Sequence, residues 1–315
     1  MKMRNAVKRF NRGLLVAMAV WGLATMASPE EWRGVFHAVS TAGGSEPAGN
    51  REEGYEARKR DILSRRRRVI LNNDGGDATV AREGLERPRD FLDVRTTPLF
   101  SRHADSHVDT ISYCTSRNFG TFIHKTKVGT ILTAQSGPYE HNVVPALLEQ
   151  GTDPLEVMAD YCHENNVEIF WSMRMNDTHD ANRPERFKRN EFKVENQQCL
   201  LGTMDKRPRY GGWSAVNYSC DIVRDLLSDV VEEVCQNYDV DGIELDFFRH
   251  PVFFKQTANG KPVGDEQRRQ MTDLIRNIAN IVEREGRERG QPFMIAVRTP
   301  DDRAYCRAIG LEIER

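Results

Sequence analysis

A repeated unit constrains this sequence more than any other feature. A short apolar run stops on polar or ionisable side chains, and a stretch of helical periodicity leads into the next run. The runs cover residues 69–74, 110–115, 167–173, 242–248 and 293–297. Between them, Leu155, Met158, Ala159 and Cys162 recur at helical spacing after the capping signal Thr152-Asp153-Pro154. Ile222, Leu226, Val230, Val231 and Val234 do the same over 221–236, and Met271, Leu274, Ile275, Ile278 and Ile281 over 265–285. Short apolar strands alternating with amphipathic helices predict a parallel sheet covered by helices. A doubly wound open sheet and a (β/α)8 barrel both fit. The run Asn72-Asn73-Asp74-Gly75-Gly76-Asp77 has the wrong spacing for a phosphate loop or a GxGxxG turn. Polar residues close strand after strand, which is where barrel active sites lie, so the barrel is preferred. About five βα units are recognisable where a barrel has eight. The chain stops on Leu311-Glu312-Ile313-Glu314-Arg315, which reads as the middle of a helix. The expectation is an incomplete (β/α)8 TIM barrel over residues 66–315.

The segment before it reads differently. Lys2, Arg4, Lys8, Arg9 and Arg12 precede an apolar run from Gly13 to Ala27, shorter than the roughly 20 residues of a membrane span. Residues 1–27 are expected to be a secretory signal peptide, with an uncleaved membrane anchor as the alternative; either way the remainder is exported. Residues 28–65, rich in small and polar residues around Thr41–Asn50, are expected to be a linker. Arg65 to Arg68 form a basic run, read as a solvated helix end leading into a strand rather than as a nucleic-acid or membrane patch. The net charge of −2 gives no reason to invoke nucleic acid. Of the six cysteines, Cys199 and Cys220 flank one long loop and are the pair expected to be bridged; Cys114, Cys162 and Cys235 read as buried thiols.

The chemistry concentrates in residues 238–251. Along a strand, side chains alternate between faces, so Ile243, Leu245 and Phe247 share one face and Glu244, Asp246 and Phe248 the other. Two carboxylates on so apolar a strand are costly to bury without partners or a task. Glu244 could pair with Arg174 or Arg298 across the sheet, leaving Asp246, nearer the strand end, as the exposed carboxylate.

Asn217-Tyr218-Ser219 before a helix containing Val223-Arg224-Asp225, followed by Tyr238-Asp239-Val240-Asp241-Gly242-Ile243-Glu244-Leu245-Asp246-Phe247-Phe248, resembles the glycosyl-hydrolase-like family 10 barrel proteins. Asp153-Pro154-Leu155 and Phe170-Trp171-Ser172-Met173 are similar to that family as well. The resemblance covers roughly residues 69–300. It implies a TIM barrel, export and a carbohydrate substrate. The family usually carries adjacent aspartates where this chain has Glu244-Leu245-Asp246.

Glycoside hydrolysis needs one protonated and one ionised carboxyl group. Asp246 is the expected catalytic carboxylate and Glu244 its partner or positioner. Asn72, Asp74, Arg174, Asn176, Phe248, Arg249, His250 and Arg298, all at strand ends, are candidates for binding sugar hydroxyls, with turn and cap roles as the alternative. Trp213 and Tyr218 in the long preceding segment could stack on a sugar face or pack that segment down. The histidines show neither HxH nor HExxH, so no metal and no other cofactor is expected, and His250 reads as a rim residue. Three functions remain open: a glycoside hydrolase-like enzyme, a carbohydrate-binding or inactive barrel, and a metal-dependent hydrolase.

Overall fold

The structure, a computed structural model, describes residues 48–79, 87–97 and 107–313. The expected signal peptide and the first part of the expected linker lie outside them. Five strands form one sheet: β1 (Ile70–Asn73), β2 (Thr110–Cys114), β3 (Glu168–Arg174), β4 (Gly242–Asp246) and β5 (Met294–Arg298). They lie in the order β1-β2-β3-β4-β5, and every neighbouring pair is parallel. Chain order and spatial order therefore coincide, with no reversal of winding. Among the described strands there is thus no switch point of the kind a doubly wound sheet has. Among the described residues no strand pairs with the outer side of β1 or β5.

The two faces of the sheet differ sharply. Ile111, Tyr113, Ile169, Trp171, Met173, Ile243 and Leu245 are fully buried on one face. They join a single core with the helices α2 (Pro154–Glu164), α3 (Asp221–Asn237) and α4 (Asp265–Arg289). These helices form as their sequences dictate. Asp153 caps α2, its side chain accepting from the backbone N–H groups of Leu155 and Glu156. α4 stops at Gly290, whose φ of 67° is the left-handed conformation a terminating glycine adopts freely. On the other face, register stacks the side chains in storeys. Phe170, Gly242 and Met294 stand level, then Ser172, Glu244 and Ala296, then Arg174, Asp246 and Arg298 at the C-terminal ends.

A helix closes the foot of this second face. Residues 28–65 were expected to be a linker, but α1 (Ala48–Ser64) occupies the end of that stretch. Tyr55 is buried against α4, and Ile62 and Leu63 pack on Phe170, Met294 and Ala296. Lys59 pairs with Glu283 at 2.6 Å, Arg287 pairs with Glu56 at 2.6 Å and also with Glu52, and Arg58 donates to the Gly290 carbonyl at 2.9 Å. The helix is held by ion pairs as much as by apolar contact, so it carries little hydrophobic periodicity for a sequence reading to detect. The arginine run does lead from helix to strand, and Arg67 is bidentate on Glu168 at 2.5 and 2.7 Å.

Two long connections carry structure of their own. After β2, residues Ser116–Asn118, Thr121–Phe122 and Thr130–Ile131 form a small three-stranded sheet. After β3, residues 177–220 fold over the C-terminal side of the sheet and are tied down by the Cys199–Cys220 disulfide, the pairing expected from sequence. Cys114, Cys162 and Cys235 are buried free thiols, as expected, and so is Cys306. No helix of the described residues is long and apolar enough to cross a membrane.

Candidate active site

A cleft of about 310 Å³ opens at the C-terminal ends of β1, β3, β4 and β5. Its walls are Asn72 at the end of β1 and Asp74 just after it, Arg174 at the end of β3, Asp246, Phe248, Arg249 and His250 from β4 onward, and Arg298 at the end of β5. These are eight of the residues proposed from sequence, gathered by one rule: each lies at or just beyond the C-terminal end of a strand.

Asp246 sits at the centre, held from three sides. Its Oδ1 accepts from the backbone N–H groups of Phe248 at 2.9 Å and Arg249 at 3.0 Å. Its Oδ2 faces Arg298 Nη1 at 3.5 Å. Arg298 in turn lies over the Phe248 ring, 5.2 Å from its centroid. The expectation of an exposed Asp246 is corrected: the residue is 2% exposed, in the wall of the cleft.

Glu244 is corrected as well. It contacts neither Arg174 nor Arg298 by hydrogen bond and does not line the cleft. It lies one storey below, fully buried, in a cradle of neutral donors: Ser172 Oγ at 2.7 Å, Ser112 Oγ at 3.0 Å and Asn72 Nδ2 at 3.3 Å. Burial raises its pKa above the ordinary 4.5 and the nearby Asp246 charge adds to that, while the two serine hydrogen bonds oppose. The arginines went elsewhere. Arg174 lies between Asp74 (2.6 Å) and Asp177 (3.1 Å), and Arg298 serves Asp246. Sequence spacing could not decide this, because it gives the face of a side chain but not its height.

Three proposed sugar-binding residues are structural. Asn176 is fully buried; its Nδ2 donates to the carbonyls of Val216 at 2.9 Å and Val252 at 2.7 Å, and its Oδ1 accepts from the Val216 N–H at 2.9 Å. It staples the long 177–220 segment to the β4 loop. Trp213 is buried, donates Nε1–H to the Ala181 carbonyl at 2.6 Å and packs on Phe187. Tyr218 is fully buried, and its hydroxyl donates to the Met175 carbonyl. Neither ring is free to stack on a ligand. Asn73 is a turn former, its Oδ1 accepting from the Gly75 N–H at 2.9 Å. Gly75 cannot be otherwise: at φ 65° a Cβ would stand 1.9 Å from the Cys114 carbonyl oxygen.

Asp177 and His179 were missed as site residues. They follow Arg174 within one turn of the strand end, which is the signal that could have found them. Asp177 is fully buried, accepting from His179 Nδ1 at 2.7 Å, the His179 N–H at 3.0 Å and Arg174 Nη1 at 3.1 Å. Burial pushes its pKa up, but the His179 hydrogen bond and the Arg174 charge outweigh that and hold it well below the usual carboxylate range. His250 stands beside them with its backbone at φ 56°, uncommon for a non-glycine residue. Burial lowers its pKa to about 4; the Asp177 charge opposes this, and His179, Arg249 and Arg174 add to it.

No protein-family model matches the chain, and no curated protein matches it. The resemblance to the glycosyl-hydrolase-like family 10 thus has no family match behind it. Similar solved structures are glycoside hydrolases of other kinds. Alpha-L-fucosidase isoenzyme 2 from Paenibacillus thiaminolyticus is 17% identical with a TM-score of 0.39 over 73% of this chain and 32% of its own. A maltogenic alpha-amylase from Thermotoga neapolitana is 13% identical with a TM-score of 0.37 over 68% and 43%. The galactosidase domain of an alpha-galactosidase-sucrose kinase is 12% identical with a TM-score of 0.38 over 74% and 27%. The chain spans less than half the length of each. At these scores the likenesses assign neither fold nor activity to it.

Proposed function

We propose that the chain binds carbohydrate in the strand-end cleft and acts on it in the manner of a glycoside hydrolase, on a sheet that is part of a (β/α)8 barrel. One observation carries this reading. Asp246 is a fixed carboxylate at the C-terminal end of a parallel strand, in the wall of a cleft of about 310 Å³, where Asp74, Asn72 and the guanidinium of Arg298 supply further hydrogen-bonding groups. Two backbone N–H groups and Arg298 hold its carboxylate in place at the cleft, the position a nucleophile or base would take. Asp74, the other carboxylate on the cleft wall and half exposed, replaces Glu244 as the candidate second group. Phe248 offers the aromatic surface first sought in Trp213 and Tyr218. Export belongs to the same proposal, supported by the Cys199–Cys220 disulfide, since such bonds persist in oxidising compartments.

A second reading, carbohydrate binding without turnover, is favoured by the commitments of the two carboxylates. Asp74 is already paired with Arg174 and Asp246 with Arg298, so each cleft carboxylate is committed to a guanidinium of the chain itself. The test is a panel of oligosaccharides and aryl glycosides presented to wild type, Asp246→Asn and Asp74→Asn. Enzyme action requires turnover reduced at least 100-fold in Asp246→Asn with folding intact. Binding without turnover selects the second reading, and binding to no sugar at all sinks both.

A further inference from the structure

We propose that Asp177, His179 and His250 form a divalent-metal site of the zinc-binding kind in the wall of the cleft. One carboxylate oxygen of Asp177 and one ring nitrogen from each histidine lie within 4.8 Å of one another. Two imidazoles and a carboxylate are a donor set that suits zinc. The two rings stand nearly perpendicular, at 87°, with centroids 5.2 Å apart.

Two independent features point to a cation rather than to a structural cluster. The first is His250. Its Nδ1 shares a hydrogen bond with Thr178 Oγ1 at 3.1 Å, which fixes the ring, while its Nε2 is buried and has no hydrogen-bond partner among the described residues. A buried ring nitrogen without a partner is destabilising, and the left-handed backbone at φ 56° adds to the cost. A metal bound at Nε2 would offset both. The second is Arg249. Its Nη2 already stands 3.3 Å from His179 Nε2, so the electron-rich side of the cluster attracts a cationic group. Arg249 is exposed and its side chain can swing aside.

The surroundings provide the outer support that metal ligands need. Arg174 holds the far oxygen of Asp177 at 3.1 Å, and Thr178 orients His250. Because His250 also lines the cleft, a metal here would have three protein ligands and an open position toward the cleft, the arrangement of catalytic rather than structural zinc. Histidine spacing along the chain could not show this, because two ligands follow β3 and the third follows β4.

The experiment uses the full chain without an affinity tag, stripped with a chelator and titrated with ZnCl2 by calorimetry. The expected result is one equivalent bound, with affinity at least tenfold weaker in His250→Asn, a substitution that tolerates the left-handed backbone. X-ray absorption on the zinc-loaded wild type should show imidazole scattering in a shell at about 2.0–2.1 Å, a readout that needs no variant. The proposal is overturned by no stoichiometric binding, by unchanged affinity in His250→Asn, or by a thiolate shell. No sugar enters either measurement, so its failure is separate from failure of the carbohydrate reading.

Discussion

Replacing Glu244 tests the storeyed face most directly. Its carboxylate accepts from Ser172, Ser112 and Asn72, and the residue has no exposed surface. Alanine would strand two buried hydroxyls and a carboxamide. An unmade buried hydrogen bond costs about 1–3 kcal/mol, and the hydroxyls can partly turn away, so Glu244→Ala should lose about 2–5 kcal/mol. For a chain of this size that is roughly 5–15 °C in Tm. Glutamine keeps the volume, and hydroxyls both donate and accept, so Glu244→Gln should stay within about 1 kcal/mol of wild type. The pH dependence separates them further. The folded pKa of Glu244 is raised, so the folded chain holds a proton that the unfolded chain has released. Stability from this group is complete below the ordinary 4.5 and declines as pH rises through the folded value. Glutamine does not titrate. Chemical denaturation followed by tryptophan fluorescence, from about pH 4 to pH 8, should therefore show Glu244→Gln gaining on wild type as pH rises. A gap that instead widens in favour of wild type would mean the site stabilises the anion, and the account of the cradle would be wrong.

Other outcomes follow from single contacts. Asn176→Ala strands three backbone partners and should cost about 2–4 kcal/mol in denaturant unfolding. Opening the Cys199–Cys220 bridge, which closes a separation of 21 residues, should cost about 3 kcal/mol on the chain-entropy view, read as a drop in Tm for Cys220→Ser. His124 is fully buried and burial lowers its pKa from 6.5 to about 3, so it stays neutral in the fold while the unfolded chain takes up a proton below 6.5. Its contribution should be lost as pH falls through that window, on the order of 5 kcal/mol at the limit, and His124→Gln should flatten the acid side of the stability profile.

The sheet was legible because its strands are continuous apolar runs, and the positions of all five followed from that pattern. The strand-end rule found eight cleft residues for the same reason. What escaped was decided by contacts with no period. α1 owes as much to Lys59, Arg58 and Arg287 contacts as to its few apolar ones. The strands of the small sheet are only two or three residues long. Asn176, Trp213 and Tyr218 are the right residue types for binding sugar, but each is spent on backbone carbonyls of the 177–220 segment or its neighbours. Glu244 and Asp246 share a face, as alternation requires, yet only the height of each above the sheet foot separates a cradle residue from a cleft residue.

The two-faced sheet also bears on assembly. Slipping β4 by one position against β3 would turn Glu244 and Asp246 into the helix-packed layer beside Trp171 and bring Ile243 and Leu245 to the polar side. In the native pairing both carboxylates meet donors. In the slipped one, two acids would be desolvated without partners. The acidic positions of β4 thus work as a registration key: only the native pairing gives both side chains their hydrogen-bond donors, so the residues that furnish the cleft and its underlying cradle also disfavour a slipped strand.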